Sequence, residues 1–333
     1  AGAPRVERWL NLDGETEGYE DLAAAMAEHP ADPLPDPREG RDMLYSSGTT
    51  GRPKGVKHLL TDQPFGEEAD AAKAMFDHFG LAEDSVYLNP APLYHAAPLR
   101  WSMSAIRRGG TVVSMGRFDA ARCLDLMSRH HVTCGQFVPT MLVRLLKLPD
   151  EVKAAADLSA LNRVVHAAAP CPAEVKRGLI EWWGPIVDEY YGATENIGAT
   201  YIRGADWLRK KGSVGKSVLG PIHICAEDGS ELAPGEDGIV YFELAPGRGF
   251  DYLNDPDKTD SARHPTHADW FAVGDIGHLD EDGYLFLTDR KDFTIISGGI
   301  NIYPQIIEDT LISHPAVIDA AVIGIPNAEY GEE

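Results

Sequence analysis

Between residues 85 and 191, short apolar runs alternate with helical stretches, and this alternation constrains the fold more than any other feature. SVYLNP (85–90), TVVSM (111–115), VTCGQF (132–137), RVVHAA (163–168) and PIVDEYY (185–191) read as strands. Between them Ala120, Leu124 and Met127 fall at i, i+4 and i+7, TMLVRLLKL reads as a helix, and Val175, Leu179 and Trp182 mark another helix face. A further helix near 67–80 carries Ala71, Ala74 and Met75 at helical spacing. Strands separated by helices of this length imply parallel βαβ units, so the expected class is α/β with parallel βαβ sheet layers.

The flanks read differently. ADPLPDPREGR (31–41) carries three prolines and reads as a linker, followed by the apolar MLY (43–45). After about 212 short runs (SVGKSV, HICAED, IVYFEL, YLFLTD) are separated by DGS, PGEDG and DEDG, which suggests a β-rich subdomain. Asp282-Gly283 is a hairpin signal, because glycine tolerates the positive φ of such turns. Past Asp289-Arg290-Lys291-Asp292 a new unit begins: a strand FTIIS, a Gly-Gly turn, a helix with Ile307 and Leu311 on one face, and a strand AVIDAAVIGI. The expected division is a linker or end of a preceding region (1–41), an α/β core (42–211), the β-rich subdomain (212–291) and a small α+β domain cut short at Glu333 (292–333).

Composition excludes several function classes. Thirty Lys and Arg against 52 Asp and Glu leave a net charge of −22 over 333 residues, which repels a polyphosphate backbone and disfavours nucleic acid as the main partner. No run approaches the ~20 apolar residues of a membrane span, and AGAPRVERWLNLDGE lacks the apolar segment of a signal peptide. Cys123, Cys134, Cys171 and Cys225 are far apart with no CxxC, the pattern of free thiols in a reducing cytoplasm.

The segment SSGTTGRPKG (46–55) concentrates hydroxyls, glycines and a lysine directly after an apolar strand. Glycines let backbone N–H groups approach an anion, hydroxyls add donors, and Lys54 supplies a compact charge suited to phosphate. A mobile polar linker is the alternative; the basic cluster Arg52, Lys54 and Lys57 in an acidic chain weighs against it. A P-loop NTPase is excluded, since GxxxxGK[ST] needs lysine directly after the second glycine and Gly51-Arg52-Pro53-Lys54 breaks that spacing.

YSSGTTGRPKGV closely resembles the phosphate-binding signature of the adenylate-forming superfamily, which comprises acyl-CoA synthetases, luciferase-like enzymes and nonribosomal peptide synthetase adenylation domains. Further segments resembling that superfamily's motifs follow in order: PLYHAAP (92–98), HAAAP (166–170), EYYGATE (189–195), GSVG (212–215), WFAVGD (270–275), GYLFLTDRKD (283–292) and SGGINIYP (297–304). The 132–195 region looks most like fatty-acyl and bile-acid or steroid-type CoA ligases.

The resemblance implies an acid–thiol ligase. ATP activates a carboxylic acid, fatty or steroid-side-chain, to an acyl-AMP, and coenzyme A then takes the acyl group as a thioester. Both steps pass through added negative charge, so cations and aimed donors matter more than an acid–base pair. By resemblance, Ser46, Ser47, Gly48, Thr49, Thr50, Gly51 and Lys54 hold the β- and γ-phosphates, Thr194 meets the α-phosphate, and Glu195 holds Mg²⁺. Ala168, Ala169 and Pro170 line the adenine pocket, Tyr191 stacks opposite, and Glu189, Tyr190 and Gly192 complete that motif. Asp275 and Arg290 resemble the pair at the ribose hydroxyls. His95 stands at the acyl–adenylate boundary, Phe137, Val138 and Pro139 lie where an acyl tunnel is lined, Asp292 matches a hinge, and Gly298-Gly299 approaches a CoA channel. For Phe137 and its neighbours ordinary core packing is an equal reading, and His58, His166 and His223 read as structural.

Three departures stand out. The late C-terminal lysine of that superfamily has no counterpart before Glu333, the chain starts shortly before the phosphate segment, and Ile306 replaces a frequent acid. The sequence therefore resembles an internal fragment whose isolated adenylation is expected to be weak or absent. Rival readings are a carrier-protein-loading adenylation module and a non-catalytic nucleotide-binding member. The expected partner is a small-molecule acid, without nucleic acid or membrane span, in the cytoplasm; a homo-oligomer stays open.

Overall fold

A computed structural model of the chain describes residues 7–12, 14, 16–46, 54–60, 62–67, 70–245, 248–290, 295–297, 300–302, 304–312, 314, 316–317, 320–327 and 331–333. The chain divides into two compact units, residues 1–40 with 61–67, and 41–60 with 68–333.

In the smaller unit β1 (Leu10–Asn11) pairs in parallel with β2 (Glu20–Asp21). Helix α1 (Leu22–Ala27) starts at Asp21, whose carboxylate accepts the Ala24 N–H at 2.7 Å and satisfies one orphan donor of the first turn. Most of the expected proline-rich linker belongs here, with Arg38 bridging Pro64.

The larger unit opens with the hairpin β3 (Leu44–Ser46) and β4 (Lys54–His58). Then come α2 (Asp70–His78), β5 (Val86–Asn89), α3 (Ala96–Arg107), β6 (Thr111–Ser114), α4 (Ala120–Arg129), β7 (Cys134–Phe137), α5 (Pro139–Leu146), α6 (Asp150–Ala155), β8 (Arg163–His166), α7 (Ala173–Trp183) and β9 (Val187–Gly192). Strands β5 to β9 are parallel, in the order β9-β8-β7-β5-β6. Consecutive residues go to opposite faces: Leu88 and Val164 join a core under α4, α5 and α7, while Tyr87 and Val165 join a core under α2 and α3. Burial on both faces is why β5, β7 and β8 read as short apolar runs, whereas β6, at the sheet edge, is only partly covered. Each fully buried Leu, Val or Phe contributes roughly 1.5–3 kcal/mol relative to exposure. The carboxyl ends of the parallel strands share one rim, and the candidate residues His95, Val138, Ala168–Pro170 and Thr194-Glu195 follow those ends.

The remaining elements are β10 (Ala199–Ile202), α8 (Gly204–Trp207), β11 (Ser213–Ser217), β12 (Ile222–Cys225), β13 (Gly238–Glu243), β14 (Phe250–Tyr252), α9 (Pro256–Ser261), β15 (Trp270–Phe271), β16 (Asp275–Leu279) and β17 (Leu285–Arg290). No break in the sheet falls at residue 212: β10 pairs antiparallel with β9 and with β11, and the sheet continues as β11-β17-β16-β13-β12, twelve strands in all with β15 on β13. The expected β-rich region is thus the antiparallel wing of the sheet whose other wing is parallel. Gly215 makes the join, at φ +102, where a Cβ would lie 2.0 Å from the Tyr201 carbonyl oxygen. Gly283 takes φ +78 in the β16–β17 hairpin, as the Asp-Gly signal implied.

At the end of the chain come β18 (Ile295–Ser297), β19 (Ile300–Ile302), α10 (Pro304–Ile312), β20 (Pro326–Asn327) and β21 (Gly331–Glu332). The Lys147 ammonium donates to the carbonyls of Ile312, His314 and Val317 at 3.2, 3.2 and 2.6 Å, satisfying acceptors at and beyond the end of α10. The expected strand AVIDAAVIGI does not form among its described residues. Apolar composition is not enough without a paired edge, and here Ile325 exchanges backbone bonds with Glu333 instead. The cysteines are free; burial pushes the Cys123 thiol up to about 12, and those of Cys134 and Cys225 up to about 11. No helix among the described residues is long and apolar enough to cross a membrane.

Candidate functional site

Ser46 and Lys54 stand opposite each other across the β3–β4 hairpin. Lys54 and Gly55, read from sequence as loop, therefore begin a strand. Ser47, Gly48, Thr49, Thr50 and Gly51 lie outside the described residues, as do Asp292, Gly298 and Gly299. β14 pairs with the other edge of β4, setting Tyr252 opposite Val56 and Phe250 opposite His58. The Lys54 ammonium sits over the Tyr252 ring, 5.4 Å from its centroid.

Thr194 and Glu195 occupy the tight turn between β9 and β10. The Asn196 N–H donates to the Ala193 carbonyl at 3.0 Å, and Asn196 takes φ +55, a left-handed conformation asparagine tolerates. Glu195 is 8 % exposed, and its Oε1 accepts the Tyr252 hydroxyl at 2.7 Å. Among the described residues no cation pairs with this carboxylate. A buried acid beside a neutral phenol hydroxyl, with the Thr194 hydroxyl next to it in sequence, supplies the hard oxygen chemistry that suits a divalent cation such as Mg²⁺.

His58 reaches the same turn from β4. Arg100 Nη2 lies 3.2 Å from His58 Nε2, and a guanidinium only donates, so Nε2 accepts and the ring proton sits on Nδ1. The ring also hydrogen-bonds the Thr194 backbone, while burial first and Arg100 second hold its pKa below the usual histidine value. Asp42 holds Arg100 in turn, at 2.8 Å.

On the strand rim, Ala168 adopts φ +76 and is exposed together with Ala169 and Pro170. An alanine in the left-handed region marks a strained backbone where a ligand surface was expected. Glu189 corrects the sequence reading: only 6 % exposed, its carboxylate turns inward to the fully buried Lys176 of α7 at 2.6 Å, with His166 Nε2 3.5 Å away. Burial lifts the Glu189 pKa, with Lys176 opposing, and burial plus Lys176 hold His166 well below its usual value. The Lys176 ammonium also lies 5.0 Å from the Trp207 ring centroid. Tyr190 likewise points inward, into an aromatic cluster with Phe79, Trp101 and Tyr201, and burial pushes its phenol up to about 12. Strand alternation explains both: in a sheet covered on two faces, successive side chains enter one core or the other. Tyr191 ends this run, and its hydroxyl donates to Asp275, which is buried at the start of β16. Asp275 stands in register with Arg290 on β17, so the GD and DR segments meet as neighbouring strands. Gly192 closes β9 at the exposed rim.

His95 is exposed at the head of α3, its ring tilted 50° against Tyr94. Val138 precedes α5 half-buried, Pro139 is its first residue, and Phe137 is fully buried in the core under α4, α5 and α7. The structure thus joins Lys54 to Glu195 through Tyr252 beside the Thr194 turn, and Tyr191, at the end of the strand that enters that turn, to Asp275. It turns Glu189, Tyr190 and Phe137 inward. Sequence reasoning missed Tyr252, Asp42, Arg100 and Lys176, and read His58 as structural. The available signal for Tyr252 was YLNDP, where Asp255 caps and Pro256 opens α9, fixing the residues just before them.

Comparison with known proteins gives concordant matches. The model of the AMP-binding enzyme family matches residues 3–245. A 2-succinylbenzoate–CoA ligase of Bacillus licheniformis is 33 % identical over 292 residues, covering 87 % of this chain and 58 % of that protein. The long-chain-fatty-acid–CoA ligase FadD13 of Mycobacterium tuberculosis is 32 % identical over 335 residues, covering 98 % and 62 %. The O-succinylbenzoate coenzyme A synthetase of Bacillus subtilis, solved in complex with ATP and magnesium ion, superposes with a TM-score of 0.70 at 32 % identity, covering 87 % of this chain and 58 % of that one. The chain spans about three-fifths of the length of these curated relatives.

Proposed function

Since this chain belongs to the AMP-binding enzyme family, we propose that it provides the nucleotide-handling part of an ATP-dependent acid–thiol ligase. A carboxylate oxygen attacks the α-phosphorus of ATP, the bond to the bridging oxygen breaks, and pyrophosphate leaves. The sulfur of coenzyme A then attacks the acyl carbon of the acyl-AMP, and AMP leaves as the thioester forms.

The observation that carries this reading is the joining of Lys54, Tyr252 and Glu195 in one contact group beside the Thr194 turn. Lys54 and the hydroxyl- and glycine-rich segment before it bind the β- and γ-phosphates, Ser46 and Ser47–Gly51 among them. The Thr194 hydroxyl donates to the α-phosphate. Glu195 holds Mg²⁺, which when bound shields phosphate charge during the displacement. Tyr191 and the segment Ala168–Pro170 enclose the adenine, with Gly192 leaving the rim open; Asp275 accepts from the ribose hydroxyls and Arg290 donates to them. His95 stands between acyl group and phosphate, and Val138 lies beside the acyl end. Asp292 serves as the hinge and Gly298-Gly299 borders the pantetheine path. The finer reading is that the acid is fatty or carries a steroid side chain, supported by the likeness of the 132–195 region to such ligases.

A pyrophosphate-release screen against short, medium, long and sterol-side-chain acids tests this, with ATP affinity measured in parallel. Lys54→Ala is expected to weaken ATP binding by about tenfold or more, the loss of a charged contact to phosphate. ATP binding that is unchanged in Lys54→Ala refutes the assignment of the site.

A further inference from the structure

We propose that Tyr252 is a positioning residue for divalent-cation binding, its hydroxyl fixing the Glu195 carboxylate and its ring face setting Lys54 alongside. The inference rests on the reading of Glu195 given above and adds to it a residue outside every motif the sequence singled out.

Tyr252 is tied down before it touches either charged group. Its strand is in register with β4 opposite Val56. Its backbone N–H donates to Thr259 Oγ1 at 2.9 Å, and its carbonyl accepts the Asp255 N–H at 3.1 Å. Asp255 caps α9 through the Lys258 N–H, and Thr259 returns its hydroxyl to the Asp255 carbonyl at 3.0 Å. The ring is buried and packs edge-on against Phe250 at 5.0 Å. The phenol is therefore held from a rigid helix start, and little further ordering is required when it donates to Glu195 Oε1 at 2.7 Å.

The geometry answers a specific problem. A lone buried carboxylate can rotate, and a nearby ammonium would draw it into a direct ion pair that competes with a metal. A neutral donor on one oxygen fixes the plane of the carboxylate without neutralising it, so its charge stays available for a hard cation. The same ring offers its π face to the Lys54 ammonium at 5.4 Å, so one side chain sets the separation of the phosphate-binding cation and the metal-binding anion.

The test uses the full chain with Tyr252→Phe, which deletes one oxygen and keeps the ring, and Glu195→Gln. ATP binding is titrated calorimetrically over a range of Mg²⁺ concentrations, and AMP binding is measured in EDTA. In Tyr252→Phe the Mg²⁺ concentration for half-maximal ATP binding is expected to rise about tenfold or more, the usual effect of removing an outer-sphere partner, with AMP affinity unchanged. An unaltered Mg²⁺ requirement, or equal weakening of AMP and ATP, overturns the inference. Should Glu195→Gln raise the Mg²⁺ requirement while Tyr252→Phe does not, the inference alone fails. Should Glu195→Gln leave it unaltered, the reading of Glu195 fails and this inference with it.

Discussion

Replacing Lys176 by methionine is the most demanding test of the packing beneath the site. Lys176 is fully buried, bonds Glu189 at 2.6 Å and lies over the Trp207 ring. Methionine keeps the volume and removes the charge, leaving Glu189 inside without its cation. Breaking a buried pair from one side costs about 3–5 kcal/mol, a large share of the ~5–15 kcal/mol that holds a domain folded. His166 makes this loss depend on pH. Its Nε2 is 3.5 Å from Glu189, and burial and Lys176 together keep it neutral in the native protein. With a depressed native pKa, His166 takes up a proton only in the unfolded chain below its usual value of about 6.5. Native stability therefore rises with pH up to that point and its histidine contribution is lost as the pH falls. In Lys176→Met one depressing cause is gone and an anion is waiting, so His166 protonates in the folded state and takes the place of the lysine. Its folded pKa then moves upward, and its contribution is greatest at acid pH and is lost as pH rises. Denaturant midpoints at pH 5.5 and pH 8 measure this. The expected result is a loss of about 3–5 kcal/mol at pH 8 and a clearly smaller one at pH 5.5, with Lys176→Met/Glu189→Leu recovering most of it. A loss below about 1 kcal/mol at pH 8, or a larger loss in acid than in base, refutes the argument.

Further predictions concern the same neighbourhood. Ala168→Gly relieves a left-handed alanine, worth about 1–2 kcal/mol, against about 0.5–1 kcal/mol of added unfolded-chain entropy; thermal unfolding is expected to be unchanged or raised, and a lower Tm would show that the alanine methyl makes a favourable contact. His58 has a depressed pKa in the fold, from burial first and Arg100 second, so it too lowers stability as pH falls below about 6.5; His58→Gln is expected to flatten the acid limb of the stability profile, and an unchanged limb refutes that depression. Phe137→Ala is expected to cost about 3–5 kcal/mol as a core truncation; a loss under about 1 kcal/mol in denaturant titration would restore a tunnel-lining reading.

Legibility differed by element. The parallel strands were readable because β5, β7, β8 and the start of β9 are buried on both faces, while β6 at the sheet edge is only half-covered, and short apolar runs between helical stretches have few other folds available. The β16–β17 hairpin was readable from Asp282-Gly283, a local signal. AVIDAAVIGI misled, since its apolar run predicted a strand, yet its described residues form none and only Ile325, at its end, exchanges backbone bonds with another segment, at Glu333. Glu189 and Tyr190 misled for another reason. A motif names a stretch of strand, but alternate side chains of that stretch face different cores, and which residue leaves the core depends on where the strand ends.

What the sequence determined alone is whatever depends on neighbours along the chain: the βαβ alternation, the Asp-Gly turn, and the motif order on which the proposed nucleotide-handling segments rest. What the tertiary structure decided is whatever depends on facing: the continuity of parallel and antiparallel wings through Gly215, the inward turn of Glu189 onto Lys176, the meeting of Tyr191 with Asp275, and the grip of Tyr252 on Glu195 across 57 positions of chain. Propensities and turns are set by local sterics. A hydrogen bond between distant segments exists only once the strands beneath them have fixed their register.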